Sequence, residues 1–172
     1  FQDATSFNQD IGSWNTVNVG SMAGMFDGAT SFDQNIGGWQ MGNVLDTSTM
    51  FWGASAFDTG GSPTINDWTT SAVTSMALMF QGATSFNQPI GNWNVSQVTS
   101  MESMFQGAAK FNQPIGSWTT SALSSAELMF AGAARFNQPI GSWDTDQVPS
   151  FNSMFSGATA FDQNVGTWSI DS

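Results

Sequence analysis

The chain of 172 residues carries 13 acidic side chains against 2 basic ones, a net charge of −11, yet charged residues make up only 9% of it. Two cations cannot build the basic stripe that follows a phosphate backbone, so nucleic-acid binding and adhesion to an anionic membrane are excluded. His, Cys and Tyr are absent, which removes the commonest general base, thiol nucleophiles, disulfides and structural zinc, and no apolar run approaches the ~18 residues of a membrane span.

In chain order, residues 1–9 read as the tail of a preceding repeat, after which a period becomes plain. Phe recurs at Phe7, Phe32, Phe57, Phe86, Phe111, Phe136 and Phe161, in steps of 25 residues except for one step of 29 between Phe57 and Phe86. Trp follows at Trp14, Trp39, Trp68, Trp93, Trp118, Trp143 and Trp168 with the same single irregularity. The 4 extra residues therefore lie in the segment DTGGSPTIND at 58–67. Its Gly, Ser and Pro predict a surface loop that bulges outward over 59–64, with the repeat resuming in phase behind it.

The columns read F-[ND]-Q-x-I-G-x-W, then V-x-x-M-x-x-M-F-x-G-A-x-x. In the second half Val98, Met101, Met104 and Phe105 fall at i, i+3, i+6 and i+7, a spacing that predicts a short helical turn. Gly28, Gly53, Gly82, Gly107, Gly132 and Gly157 stand where a left-handed C-cap is wanted, Ser71 and Ser96 where an N-cap is wanted, and Pro149 fits a first turn. The first half reads as a short strand, because Pro89, Pro114 and Pro139 keep the preceding Gln extended and Phe and Ile share a face. One strand and one turn cannot bury their own apolar face. Stacked copies would share ladders of Phe, Ile, Trp, Met and Val. The expected fold is a repeat solenoid of about seven coils of 25 residues, one domain over residues 1–172 and a segment of a longer array.

The string V-x-x-M-x-x-M-F-x-G-A-x-x-F-N-Q-x-I-x-x-W resembles the BspA-like surface-protein repeat, which also occurs in mycoplasma lipoproteins and is regarded as a variant of the leucine-rich repeat. The resemblance covers nearly the whole chain. It implies a right-handed leucine-rich-repeat-like solenoid, a cell-surface or secreted setting, and no catalytic residues. The chain departs from the pattern at Thr47 and Ala126, where the first Met column is lost, and at the insertion, so those coils are expected to be the least regular.

Candidate functional residues fall in columns. Asn8, Asp33, Asn87, Asn112, Asn137 and Asp162, with Asp58 beside the insertion, make a polar ladder. If Phe and Ile point inward, alternation sends Gln inward to bond amide to amide with its neighbours, and sends Asn and Asp outward as a candidate binding face for protein or glycan. Calcium would want several converging carboxylates, and this column offers only Asp33, Asp58 and Asp162, so no metal is expected. The Trp column reads as core; Trp52 stands off register and is expected to be exposed. Lys110 and Arg135, the only cations, would stack just before the ladder Phe of successive repeats, balanced by Glu102, Glu127, Asp144 and Asp146 or serving as a docking point for an acidic neighbour. Thr5, Thr30, Thr84 and Thr159 would form a flat face of the ice-binding kind but for Ala109 and Ala134. Asn94-Val95-Ser96 is a glycosylation sequon. The pair Asp144 and Asp146 has no His or activated nucleophile to work with, so neither an enzyme nor a cofactor is expected.

Neither end reads as a polar cap. Phe1, Phe7 and Ile11 at one end, and Phe161, Val165 and Trp168 at the other, keep apolar ladder residues. End-to-end contact with another copy, or with flanking repeats of the same chain, is therefore expected, and a head-to-tail contact that does not close makes a filament. A net charge of −11 should oppose side-by-side bundling more than end-on contact. The functional expectation is an extracellular or cell-surface structural repeat that forms or contributes to a filament or surface appendage. The alternative is an adhesion module presenting a concave polar sheet to protein or glycan.

Overall fold

The computed structural model describes residues 1–169. Equivalent residues of successive repeats lie one above another. Phe32, Phe57, Phe86, Phe111, Phe136 and Phe161 form a column with ring centroids 5.9 Å apart at every step. A second column, Phe26, Phe51, Phe80, Phe105, Phe130 and Phe155, steps by 5.5 to 5.7 Å. Each of its rings lies 3.9 or 4.0 Å from the next Phe of the first column, so the two interlock along the axis of the stack. Rungs are named below by their first-column Phe.

Local structure differs from expectation in both halves of the repeat. Among the described residues the regular structure amounts to two 3₁₀ turns, Thr59–Gly61 and Pro63–Asp67, and a line of isolated parallel bridges, Ser21 to Asp46, Asp46 to Ser75, Ser75 to Ser100 and Ser100 to Ser125. The segment expected to be helical is a succession of four-residue turns. Met79 N–H donates to Met76 O at 3.3 Å and Ala83 N–H to Phe80 O at 3.1 Å. The third residues of these two turns, Leu78 and Gly82, have φ of 59° and 71°, the left-handed value that a type II turn needs and that no helix tolerates. Turn ends point inward, so Met76, Met79, Phe80 and Ala83 are all buried. That set is i, i+3, i+4 and i+7, the same residues that one face of a helix would bury. Two consecutive turns and one helix therefore share a hydrophobic pattern, which is why the spacing mimics a helix.

The turns continue around the coil at 83–86, 90–93 and 95–98, closed by N–H to carbonyl bonds of 3.1, 3.1 and 2.9 Å, and their ends are again buried. Amides that do not close a turn reach the next coil: Met76, Leu78, Phe80 and Gly82 donate to the carbonyls of Ser100, Glu102, Met104 and Gln106 at 3.0, 2.8, 2.9 and 2.8 Å. Here backbone polar groups are satisfied by turn and stack together, with neither helix nor continuous sheet.

One column of positive φ is occupied by residues that resist it. Thr49, Leu78, Ser103, Leu128 and Ser153 all lie at φ of 53° to 59°, where Gly24 stands in an earlier coil. A side chain in this region costs about 1 kcal/mol, and a β-branched one at least that. Replacing Thr49 by Gly, the residue the column already accepts, should raise stability by about 1 kcal/mol, seen as a higher chemical-denaturation midpoint with unchanged slope.

The insertion does not bulge free. Thr59 and Ile65 are fully buried, Gly60 N–H donates to Asp33 Oδ1 at 2.8 Å, and Thr64 Oγ1 donates to Asn35 Oδ1 at 2.9 Å. Gly60, Gly61 and Pro63 remain exposed. Ile65 holds the Ile rung of its coil, since its carbonyl receives Trp93 Nε1–H of the following coil at 2.9 Å, while the bonds to Asp33 and Asn35 tie the loop to the preceding one. The coil containing Thr47 keeps its register: Thr47 is buried, and its N–H and Oγ1 donate to Ser75 O at 3.1 and 3.2 Å. At the buried Ala126 the equivalent amide makes no bond to the next coil among the described residues and the line of bridges ends at Ser125, while Leu128 and Phe130 still donate to Asn152 O and Met154 O.

Candidate functional site

The polar ladder is built from the extended segment between Phe and Ile, which makes no backbone bridge to its neighbours among the described residues. Side chains take over that task. The Oδ1 of Asn8, Asp33, Asp58, Asn87, Asn112 and Asn137 each accepts the backbone N–H of the equivalent residue in the next coil at 2.8 or 2.9 Å. Asp162 closes the series as a donor. The Gln side chains that follow these residues do not pair with one another among the described residues, unlike Gln81, whose Nε2 donates to Gln106 Oε1 at 2.7 Å in another column. Gln113 Nε2 donates to Asn87 O at 2.7 Å, and Gln138 Nε2 reaches both O and Oδ1 of Asn112 at 3.1 and 3.0 Å. An Asn carbonyl turned along the stack lies within reach of that amide, so Gln reinforces the Asn ladder. The candidate binding face is thus largely engaged in holding coil to coil.

Asn112→Leu removes the acceptor of Asn137 N–H and one of the two acceptors of Gln138 Nε2, and should cost roughly 1–3 kcal/mol, chiefly for the backbone donor left unsatisfied. Asn112→Asp keeps the acceptor, as Asp33 and Asp58 do in the same column, and should stay within ~1 kcal/mol. Thermal unfolding of the two variants side by side checks this.

The Trp column is core with a polar purpose. Trp39, Trp68, Trp93, Trp118, Trp143 and Trp168 are buried, and each Nε1–H donates to the Ile-column carbonyl of the previous coil at 2.9 to 3.2 Å. This explains why the column holds Trp and never Phe, since the indole brings apolar bulk together with a donor that Phe lacks. Trp14 is 46% exposed and Trp52 45%. The glycine after Ile is a matter of space: a Cβ on Gly91 would stand 2.7 Å from Pro114 O, and those on Gly116 and Gly141 would also strike a carbonyl of the next coil.

Hydroxyl columns also turn along the stack. Thr30, Ser55 and Thr84 donate to the carbonyls of Thr5, Thr30 and Ser55 at 3.3 to 3.4 Å. A second such column, Thr74, Thr99 and Ser124 bonding to Leu45, Thr74 and Thr99 at 3.1 to 3.3 Å, carried the sequence signal of repeated Ser and Thr just after the Val position. Asp144 and Asp146 are tied into a local turn, where Asp146 N–H donates to Asp144 Oδ1 at 3.2 Å. Asp27 is buried and accepts from Gln2 Nε2 at 3.0 Å. Burial pushes its carboxyl above the ordinary value, Gln2 pulls the other way, and Asp3 adds a smaller upward push.

The candidate end residues divide. Ile11 and Trp168 are buried, Phe7, Phe161 and Val165 are half-buried, and Phe1 is exposed while stacked on Phe7 at 4.0 Å. Phe151, Phe155, Val165, Gly166 and Trp168 line an apolar hollow of about 460 Å³. Among the described residues no group of His, Cys, Asp and Glu could hold a metal ion, and no helix is long and apolar enough to cross a membrane.

No curated protein and no solved structure matches this chain. One family model matches it twice, over residues 1–63 and 61–168, in keeping with an array whose parts resemble one another. The chain therefore belongs to the family described as Mycoplasma protein of unknown function, DUF285.

Proposed function

We propose that this chain is a non-catalytic structural repeat of the cell surface or exterior. In this reading it is a right-handed leucine-rich-repeat-like solenoid of the BspA-like kind that forms or contributes to a filament or surface appendage. The supporting observation is the polarity of the contact between coils. Met76, Leu78, Phe80 and Gly82 donate towards the following coil, whereas Asn112 N–H and Trp118 Nε1–H donate back towards the preceding one. Each coil therefore offers its neighbour a different face from the one it receives. Such a heterologous contact builds an open series wherever its rotation does not close a ring, and it can be made by the next coil of the same chain or of a second copy.

Negative-stain microscopy and light scattering of the purified chain at rising concentration test this reading. Rods or fibres with an axial repeat are expected. A chain that stays monomeric at high concentration and captures a glycan or surface protein would overturn the filament in favour of adhesion, for which the exposed Trp52 is the residue to replace first.

A further inference from the structure

Glu102 and Glu127 are the only glutamates of the chain, and Lys110 and Arg135 its only cations. All four stand on two adjacent coils, those of the Phe111 and Phe136 rungs, whose rings lie 5.9 Å apart. Each occupies a central position of a four-residue turn. Turns 101–104 and 126–129 hold the acids and turns 108–111 and 133–136 the bases, closed by N–H to carbonyl bonds of 3.0 to 3.3 Å. The ends of these turns are buried, so their middles face solvent: Glu102, Lys110 and Arg135 are exposed and Glu127 is part-exposed. Among the described residues no acid lies within 4.0 Å of either cation, so Glu102, Glu127, Asp144 and Asp146 do not balance them at contact distance within the chain.

The acids and the bases belong to two different columns. In the acid column the carbonyls of Ser48, Ala77, Glu102, Glu127 and Asn152 each accept an N–H of the preceding coil at 2.8 to 3.0 Å. The base column runs Ser31, Ala56, Ser85, Lys110, Arg135 and Ala160, and the amides of Ala56, Ser85 and Ala160 bond back to the preceding coil at 3.2 Å. Coil by coil, the two columns pair Ser48 with Ala56, Ala77 with Ser85, Glu102 with Lys110, Glu127 with Arg135 and Asn152 with Ala160. None of these residues is buried. Long charged side chains thus occur on the same two coils in both columns, and every other place holds a small or uncharged residue.

We infer that the acid column of one copy docks on the base column of a second, parallel copy in register, with Glu102 facing Lys110 and Glu127 facing Arg135. Both columns run along the stack, and each of these pairs comes from one coil. A rotation about an axis parallel to the stack, with no shift along it, therefore makes the contact. A shift by one coil keeps a single pair and leaves the other two charges opposite uncharged residues. The Ala and Ser residues on the remaining rungs let the two surfaces approach. The angle between the columns around the coil sets whether the series closes as a pair or ring or continues as a sheet.

Each exposed ion pair changes an equilibrium constant by about two- to fivefold, so the two of one contact contribute on the order of 10-fold. The net charge of −11 per chain repels at low salt. At ~0.15 M the Debye length of ~8 Å screens that repulsion while contact pairs persist, and near ~1 M the pairs themselves weaken. Association should therefore be strongest at intermediate ionic strength, a signature that an apolar contact would not give.

Sedimentation equilibrium of the full chain up to ~1 mM at three ionic strengths tests the contact. Two double variants are compared with it: Glu102→Lys with Glu127→Lys, and Lys110→Glu with Arg135→Glu. An unchanged melt verifies their fold, and Glu102→Gln with Glu127→Gln repeats the loss should a reversal lower the melt. Each reversal sets like charges across the contact and should weaken association at least ~10-fold. An equimolar mixture of the two should restore it, because copies with bases in both columns then alternate with copies with acids in both, although both remain net negative. The chain has no Cys, so oxidative cross-linking reads the register: a copy with Ala77→Cys should link to one with Ser85→Cys and not to one with Ala160→Cys. A chain that stays monomeric at all three ionic strengths, association unaffected by both reversals, a mixture no better than its parts, or linking that favours Ala160→Cys overturns the proposal. So does a loss confined to the Lys110 and Arg135 variant, which would place the acids elsewhere on the chain. End-to-end stacking uses none of these four residues, so rods that persist in the variants but no longer lie side by side separate this proposal from the filament reading.

Discussion

Gly116→Ala should destabilise the protein by ~3 kcal/mol or more although it removes no side chain. The added methyl would collide with the carbonyl oxygen of Pro139 in the next coil, as one on Gly91 would lie 2.7 Å from Pro114 O. Both parties are backbone, so no rotamer can relieve the clash and two coils must move apart. That movement lengthens the neighbouring bonds, Trp143 Nε1–H to Ile115 O at 3.1 Å and Asn137 N–H to Asn112 Oδ1 at 2.9 Å. The residue does not have positive φ; what it supplies is the absence of a side chain. Gly42, which has nothing within 4 Å of where its Cβ would be, is the matched control, and Gly42→Ala should leave the melt unchanged or raise it slightly. Equal loss at both positions would show that the cost is not steric.

Phe111→Ala is the other large effect, at ~3–5 kcal/mol for a buried aromatic whose space cannot be refilled. The ring is fully buried and touches three others, Phe86 and Phe136 at 5.9 Å along the column and Phe105 at 4.0 Å beside it. In a stack, each coil gains stability mainly from the coils directly above and below it. A cavity at Phe111 therefore weakens two interfaces and leaves distant ones intact, so calorimetry should resolve the single transition into two. One transition at an unchanged temperature would mean that the coils are not coupled through this column.

What could be read in advance was whatever depends on which residues face inward. Phe86, Ile90, Trp93 and Val98 are legible as core because a fixed period and strong apolarity leave no alternative. The backbone path between them is not legible in the same way. Met76, Met79, Phe80 and Ala83 satisfy a helix and a pair of turns equally, and the feature that decides is Leu78, whose identity says nothing of its positive φ. The Asn ladder is legible as a column but not in its bonding, since alternation gives a direction across the coil while Oδ1 bonds along the stack. The insertion contained a missed signal: Ile65 stands three residues before Trp68, as Ile90 does before Trp93, which already places Ile65 in the core and confines the true excess to the residues before it.

A coil closed by its own turns and joined to its neighbours by a single layer of bonds behaves as a spring under load. Pulled along the axis of the stack, one coil must give up its bonds to the next before that next coil feels the full force, so rupture travels coil by coil. Each event frees 25 residues, roughly 85 Å of extended chain, which returns to the same turns once tension is released. Force spectroscopy should therefore trace a sawtooth of nearly equal teeth, with the tooth from the coil of Trp68 lengthened by the 4 inserted residues. Such a material absorbs work over long extensions by yielding in small equal steps.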